Sequence, residues 1–119
     1  VSVLGRFARD RKEFFSYLMP GELLAQDVLS GSVTLVDVRS EDQRRETPPI
    51  PGSLLHSTLR ELKKLPRNAH IVLMCEDGYL ANLYSLRLRQ SGWTDVKSLL
   101  GGYKRWRQYH RNEFYYHIK

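Results

Sequence analysis

The stretch IVLMCEDGYLA, residues 71–81, decides how the rest of the chain reads. Ile71–Met74 is continuously apolar, the pattern of a central strand in a parallel sheet covered on both faces. Cys75 ends the run, a short loop turns through Gly78, and Leu80–Gln90 continues at helical spacing until Gly92 closes it. A cysteine therefore stands where a strand gives way to a helix.

The alternation extends in both directions. Downstream, Val96–Leu100 is a second strand candidate. Tyr103, Trp106, His110, Phe114 and His117 then recur at three- and four-residue steps, which predicts an amphipathic C-terminal helix. Upstream, Val33–Val38 (VTLVDV) is rich in β-branched residues and predicts a strand. Arg44 to Pro51 is polar and then proline-dense, a loop, and Leu55, Leu59 and Leu62 follow at helical spacing until Pro66 stops them. Pro20 opens a helix over Gly21–Leu29 with Leu23, Leu24, Val28 and Leu29 on its apolar side and Gly31 at its C-cap. Ser16–Met19 is short and extended. Residues 1–15 are an N-terminal arm or short helix laid on a domain spanning 16–119. Strands alternating with helices argue for an α/β domain built on a parallel sheet. In such sheets sites form outside the carboxyl ends of the strands, which is where Cys75 falls.

The 119 residues suit one domain, and 41% hydrophobic content supports a core without disulfides. One cysteine excludes an internal disulfide framework and a multi-cysteine zinc site. His56, His70, His110 and His117 are scattered, with no spacing that makes a metal site or ties one to Cys75; they read as surface or helix-face residues. No apolar run reaches the ~18–20 residues of a membrane span, and no signal peptide is visible in a chain that begins at Val1. A cytoplasmic domain with no membrane attachment is expected. The formal charge is +6, and residues 102–119 hold much of the excess: Lys104, Arg105, Arg107, Arg111 and Lys119 against Glu113. Bases interleaved with Tyr103, Trp106, Tyr109, Tyr115 and Tyr116 could stack on nucleobases. A basic side facing solvent and an aromatic side packed on the sheet is the simpler reading, so nucleic acid is not expected as a partner.

Local chemistry leaves two readings of Cys75 open. In the first, amides of the loop CEDGYLA point inward at an anion and the helix N-terminus adds partial positive charge, a setting that suits a nucleophilic thiolate. Gly78 supplies the freedom of φ that a tight cradle needs. In the second, Cys75 is a buried core residue at a strand end, a common fate for a lone cysteine.

Six segments then come in a telling order: Met19–Leu24, Val36-Asp37-Val38-Arg39, Ile50-Pro51-Gly52-Ser53, Ile71-Val72-Leu73-Met74-Cys75, Ser91-Gly92-Trp93, and Val96 leading to Gly101-Gly102 and Trp106. In order and spacing the chain resembles the rhodanese-like family from about Tyr17 to Trp106. That resemblance implies a single rhodanese-like domain, with a central, mainly parallel sheet of about five strands and helices on both faces. It also implies sulfur transfer. A cysteine thiolate takes the sulfane sulfur of a donor such as thiosulfate or another persulfide, becomes a persulfide, and yields the outer sulfur to cyanide, a thiol or a carrier protein. By position Cys75 is the nucleophile, and Glu76, Asp77, Gly78, Tyr79 and Leu80, closing at Ala81, offer backbone N–H groups to the persulfide. No metal or organic cofactor is implied.

The departures from the family fall on the loop. Many members carry Arg and then Ser or Thr five and six residues after the cysteine; this chain has Leu80 and Ala81. Glu76 and Asp77 put two acids beside the sulfur, each costing on the order of 1–2 kcal/mol against a nearby unit charge. Together they would slow turnover by roughly one to three decades, so weak thiosulfate activity and a neutral or cationic donor are expected. Pro49 stands where His is usual. Asp37 and Arg39 read as structural, with Asp37 capping local backbone and Arg39 pairing with Glu41 or Asp42. A phosphatase branch of the family uses a longer loop ending in Arg, and no Arg lies between Cys75 and Arg87, which argues against that chemistry. Two functions remain. A single-domain sulfurtransferase is favoured by Cys75 with Gly78; a catalytically impaired rhodanese-like binding or regulatory module is favoured by Glu76, Asp77, Leu80 and Ala81.

Overall fold

The computed structural model describes residues 18–19 and 30–109. Five strands among them form one sheet: β1 (Leu18–Met19), β2 (Thr34–Asp37), β3 (Leu54–Leu55), β4 (Ile71–Met74) and β5 (Val96–Leu99). Their order is β1-β5-β4-β2-β3, and every pairing is parallel. The helices are α1 (Glu41–Glu46), α2 (Leu59–Leu62), α3 (Tyr79–Gln90) and α4 (Gly102–Tyr109). The expected α/β architecture is present, with β4 central and buried along its whole length.

Alternation of side chains across the strands divides the core in two. On one face Val36, Ile71, Leu73 and Val96 pack with Leu62 of α2, Ala81 and Leu88 of α3, and Trp93. On the other, Leu35, Val72, Met74 and Leu99 pack with Ile50 and with Tyr103 and Trp106 of α4. Helices thus cover both faces, which is why β4 is apolar at every position rather than at alternate ones.

Two stretches differ from the sequence reading. Arg44–Glu46 is not loop but the second half of α1. The Ser40 hydroxyl accepts the Gln43 N–H and the Gln43 side chain accepts the Ser40 N–H, a capping box. No residue of α1 is buried, so no apolar period advertises it. Leu55 is likewise not helical. It pairs with Asp37 in β3, an exposed edge, and α2 starts only after Thr58, whose hydroxyl accepts the Glu61 N–H. The Gly21–Leu29 helix, the arm at 1–15 and the C-terminal pattern at His110, Phe114 and His117 lie outside the described residues. Gly31 has φ 75°, the left-handed conformation expected of a C-cap. Among the described residues no helix is long and apolar enough to cross a membrane.

The topology also fixes where a site can form. β2 and β4 are neighbours, level at their carboxyl ends with Asp37 opposite Met74. From β2 the chain goes to β3 on one side; from β4 it goes to β5 on the other. Adjacent parallel strands whose connections diverge leave a crevice beyond their carboxyl ends. Arg39 rises from one wall of it, Cys75 and Glu76 from the other.

Candidate active site

Cys75 follows β4 directly, is 4% exposed, and belongs to the core under α3. Its sulfur is nevertheless not in an apolar setting. The N–H groups of Gly78 and Ala81 donate to Sγ at 3.2 and 3.3 Å. The local reason is helix geometry. The first amides of α3 have no intrahelical partner, and Gly78 at the N-cap has no side chain to satisfy them. The sulfur takes the place of the missing cap. Gly78 holds φ 96°, a conformation that other residues rarely adopt and that lets the turn close on the sulfur.

The five residues predicted to line the cradle part company here. Gly78 supplies an amide to the sulfur, but the Tyr79 N–H goes to Asp77 Oδ1 at 3.0 Å. The same Asp77 oxygen lies 3.8 Å from Sγ, placed to accept the thiol proton. Glu76 turns the other way, its Oε2 3.5 Å from Arg39 Nη1. Leu80 packs against the core under α3, while the Tyr79 side chain is 78% exposed. The second amide comes from Ala81, which the sequence marked only as the close of the loop. Its position in the first turn of α3, among the unpaired N–H groups, is the signal that picks it out.

Arg39 is the cation that sequence reasoning misplaced. It is fully buried, with Nε and Nη2 on the two oxygens of Asp37 at 2.9–3.1 Å. Nη1 donates to Thr47 Oγ1 at 2.6 Å, Nη2 donates to the Thr47 carbonyl at 2.9 Å, and the guanidinium lies 4.2 Å over the Tyr103 ring. Burial alone would push its pKa down. The hydrogen bonds and charge of Asp37, helped by Tyr103 and Glu76, outweigh that and hold the pKa above its ordinary value. The expected pairing with Glu41 or Asp42 is therefore corrected: those two acids meet Arg45 on α1. Asp37 does cap local backbone, accepting the Arg39 N–H at 2.9 Å.

Helix α4 completes the site from behind. The Tyr103 N–H donates to the Cys75 carbonyl at 2.8 Å and the Lys104 N–H to that of Glu76 at 3.0 Å. Gly102, at φ 70°, comes so close that a Cβ there would lie 2.6 Å from Cys75 O and from Gly78 N. His56 pairs with Glu61 and His70 with Asp95, neither joining the cysteine loop. Among the described residues no group of three or more His, Cys, Asp or Glu side chains gathers as metal ligands would.

A family model described as Rhodanese-like domain matches residues 19–109. A tRNA sulfurtransferase of Desulfurococcus amylolyticus is 33% identical over 90 residues, which is 75% of this chain and 18% of that protein. The chain thus spans less than a fifth of the length of that curated relative. Among solved structures, a human single domain sulfurtransferase aligns with a TM-score of 0.67 at 22% identity, covering 77% of this chain and 96% of that one. A rhodanese-related protein from Thermoplasma volcanium gives a TM-score of 0.67 at 23% identity, over 76% of this chain and 90% of its own. The fold is shared by both. Since the matched region runs from β1 to the last residue of α4 and contains the cysteine loop, the chain belongs to the rhodanese-like domain family.

Proposed function

We propose that this domain is a sulfurtransferase that carries a sulfane sulfur on Cys75. The observation that supports the reading is the convergence of two amides, Gly78 and Ala81, on Sγ at 3.2 and 3.3 Å. Two such amides stabilise the Cys75 thiolate, the form that attacks a donor and the form that returns when the outer sulfur is passed on.

The first half-reaction has the Cys75 thiolate attack the outer sulfur of a donor. The Sγ–S bond forms, the donor's S–S bond breaks, and the electron pair leaves on a thiolate or, from thiosulfate, on sulfite. In the second, an acceptor thiolate or cyanide attacks that outer sulfur, the Sγ–S bond breaks, and its electron pair returns to Cys75. Neither half needs a metal or an organic cofactor. Of the loop Glu76, Asp77, Gly78, Tyr79 and Leu80, Gly78 gives an amide to the sulfur and Asp77 lies beside it, while Ala81 gives the second amide. Donors are thiosulfate or small persulfides, acceptors are thiols, cyanide or a carrier protein, and the setting is the cytoplasm. The activity named for the Desulfurococcus amylolyticus relative agrees in reaction class.

The second reading, a binding or regulatory module without efficient turnover, is favoured by the burial of Cys75 and by Leu80 where a cationic side chain would face an anionic donor. Intact-mass measurement separates the two. Incubation with thiosulfate and with alkyl persulfides should add one sulfur to the wild-type chain and none to Cys75→Ser, and cyanide should then remove it. No adduct with any donor would favour the module.

A further inference from the structure

We propose that Asp77 sets the charge of the sulfur compounds that reach Cys75, admitting neutral and cationic ones and turning anions away. The inference deepens the proposed sulfur transfer by naming its substrate class, and rests on that reading for its purpose. The two acids of the loop, equal in sequence, are not equal in space. The Glu76 carboxylate is drawn toward the buried Arg39 guanidinium at 3.5 Å, on the far side of the crevice. Asp77 takes its polar contacts from the Tyr79 N–H at 3.0 Å and the Cys75 thiol at 3.8 Å, with no ion pair among the described residues to offset its charge.

Exposure places that charge on the approach. Cys75 is buried and Asp77 is exposed, and its Oδ1 is 3.8 Å from Sγ, so the carboxylate stands where the buried sulfur meets the surface. A reagent attacked by Sγ comes within a few ångströms of a full negative charge, which in a surface setting is a factor of roughly ten per unit of reagent charge. The whole molecule points the opposite way. A net charge of +6 draws anions in, so a cation preference at Cys75 can only be local.

The test uses methanethiosulfonate reagents. With these the Sγ–S bond forms, methanesulfinate leaves with the electron pair, and no competence in sulfur transfer is needed. Rates for a trimethylammonioethyl and a sulfonatoethyl reagent are compared at one pH, each normalised to the same reagent's rate with 2-mercaptoethanol. Ionisation of the thiol is common to both and cancels. Wild type should prefer the cation. Asp77→Asn, which keeps an oxygen for the Tyr79 N–H, should cut the preference about a hundredfold, since the two reagents differ by two units of charge, and Glu76→Gln should change it less than about twofold. Salt at about 1 M, where the screening length is ~3 Å, should flatten the wild-type preference without any substitution. In parallel, Asp77→Asn should take sulfur from thiosulfate, a dianion, about a hundredfold faster, relative to cysteamine persulfide, than wild type does. A wild-type preference for the anion, an unchanged ratio in Asp77→Asn, or an equal shift in Glu76→Gln would overturn the proposal. A cation preference alongside failure of every sulfur donor would leave the charge filter standing and remove the sulfur transfer.

Discussion

Gly31 and Gly102 hold nearly the same backbone conformation, φ 75° and 70°, for different reasons. An L side chain in that region costs roughly 1–2 kcal/mol on its own. At Gly31 an added Cβ meets nothing within 4 Å, whereas at Gly102 it meets Cys75 O, Gly78 N and Glu76 O at 2.6–2.7 Å. All three are backbone atoms, which cannot swing aside as a side-chain tip can. Gly31→Ala should therefore lose roughly 1–2 kcal/mol in urea unfolding and leave sulfur uptake unchanged. Gly102→Ala should lose more, and should slow persulfide formation on Cys75 at least about tenfold, because α4 must back away from the carbonyls it binds. Equal effects of the two substitutions would mean that the close approach does not shape the site. Legibility at this scale was uneven. The Gly101-Gly102 pair stood out as a motif, but its contact with residue 75 is non-local and invisible in the chain. For Arg39, nearby Glu41 and Asp42 offered plausible partners. Both lie in the first turn of α1, where the helix end itself favours acids, while Asp37 sits two residues back on the same side of extended chain.

Elements were legible where burial writes a pattern into the sequence and illegible where it does not. β4 and α3 announced themselves through an uninterrupted apolar run and a helical period. α1 buries nothing and β3 is two exposed residues, so only the caps Ser40 and Thr58, which mark where α1 and α2 begin, punctuate that stretch. The Thr58 cap is also where pH should act on stability. The Thr58 hydroxyl donates to Glu61 Oε1 at 2.9 Å, and His56 Nδ1 lies 3.1 Å from Oε2. The hydrogen bond from Thr58, followed by that from His56, lowers the Glu61 pKa below 4.5. A carboxyl with a lower pKa folded than unfolded adds stability that is fully present above the unfolded value. That stability fades as pH falls through the folded one. Glu61→Gln should thus be slightly less stable than wild type at pH 7, with the gap in urea midpoint closing as pH drops below 4.5. A gap that persists at pH 3 would show that charge is not what the cap uses. Thr58→Ala, which removes the N-cap itself, should cost about 1 kcal/mol at pH 7.

At the scale of the whole molecule, the sheet places the cysteine loop and α4 holds it. The aromatic side of α4 was expected to pack on the sheet, and Tyr103 and Trp106 do so among Leu35, Val72, Met74 and Leu99. What no periodicity could reveal is that the same helix reaches the backbone of Cys75, because the two segments are brought together only by the turn after β5. Tyr103 joins these roles. Its ring covers Arg39, its hydroxyl donates to the Pro48 carbonyl at 2.9 Å, and its N–H donates to Cys75 O. Tyr103→Phe keeps the ring and should lose only about 0.5–1.5 kcal/mol with the hydroxyl's hydrogen bond. Tyr103→Ala also opens a cavity over a buried guanidinium, and should cost about 3–5 kcal/mol. Amide exchange then distinguishes a local anchor from a general support. If α4 is what holds the loop, Tyr103→Ala should speed exchange at Gly78 and Ala81 well beyond its effect at Val72 in the centre of the sheet. An equal increase at all three would mean that the ring serves overall stability alone and that the loop keeps its shape without it.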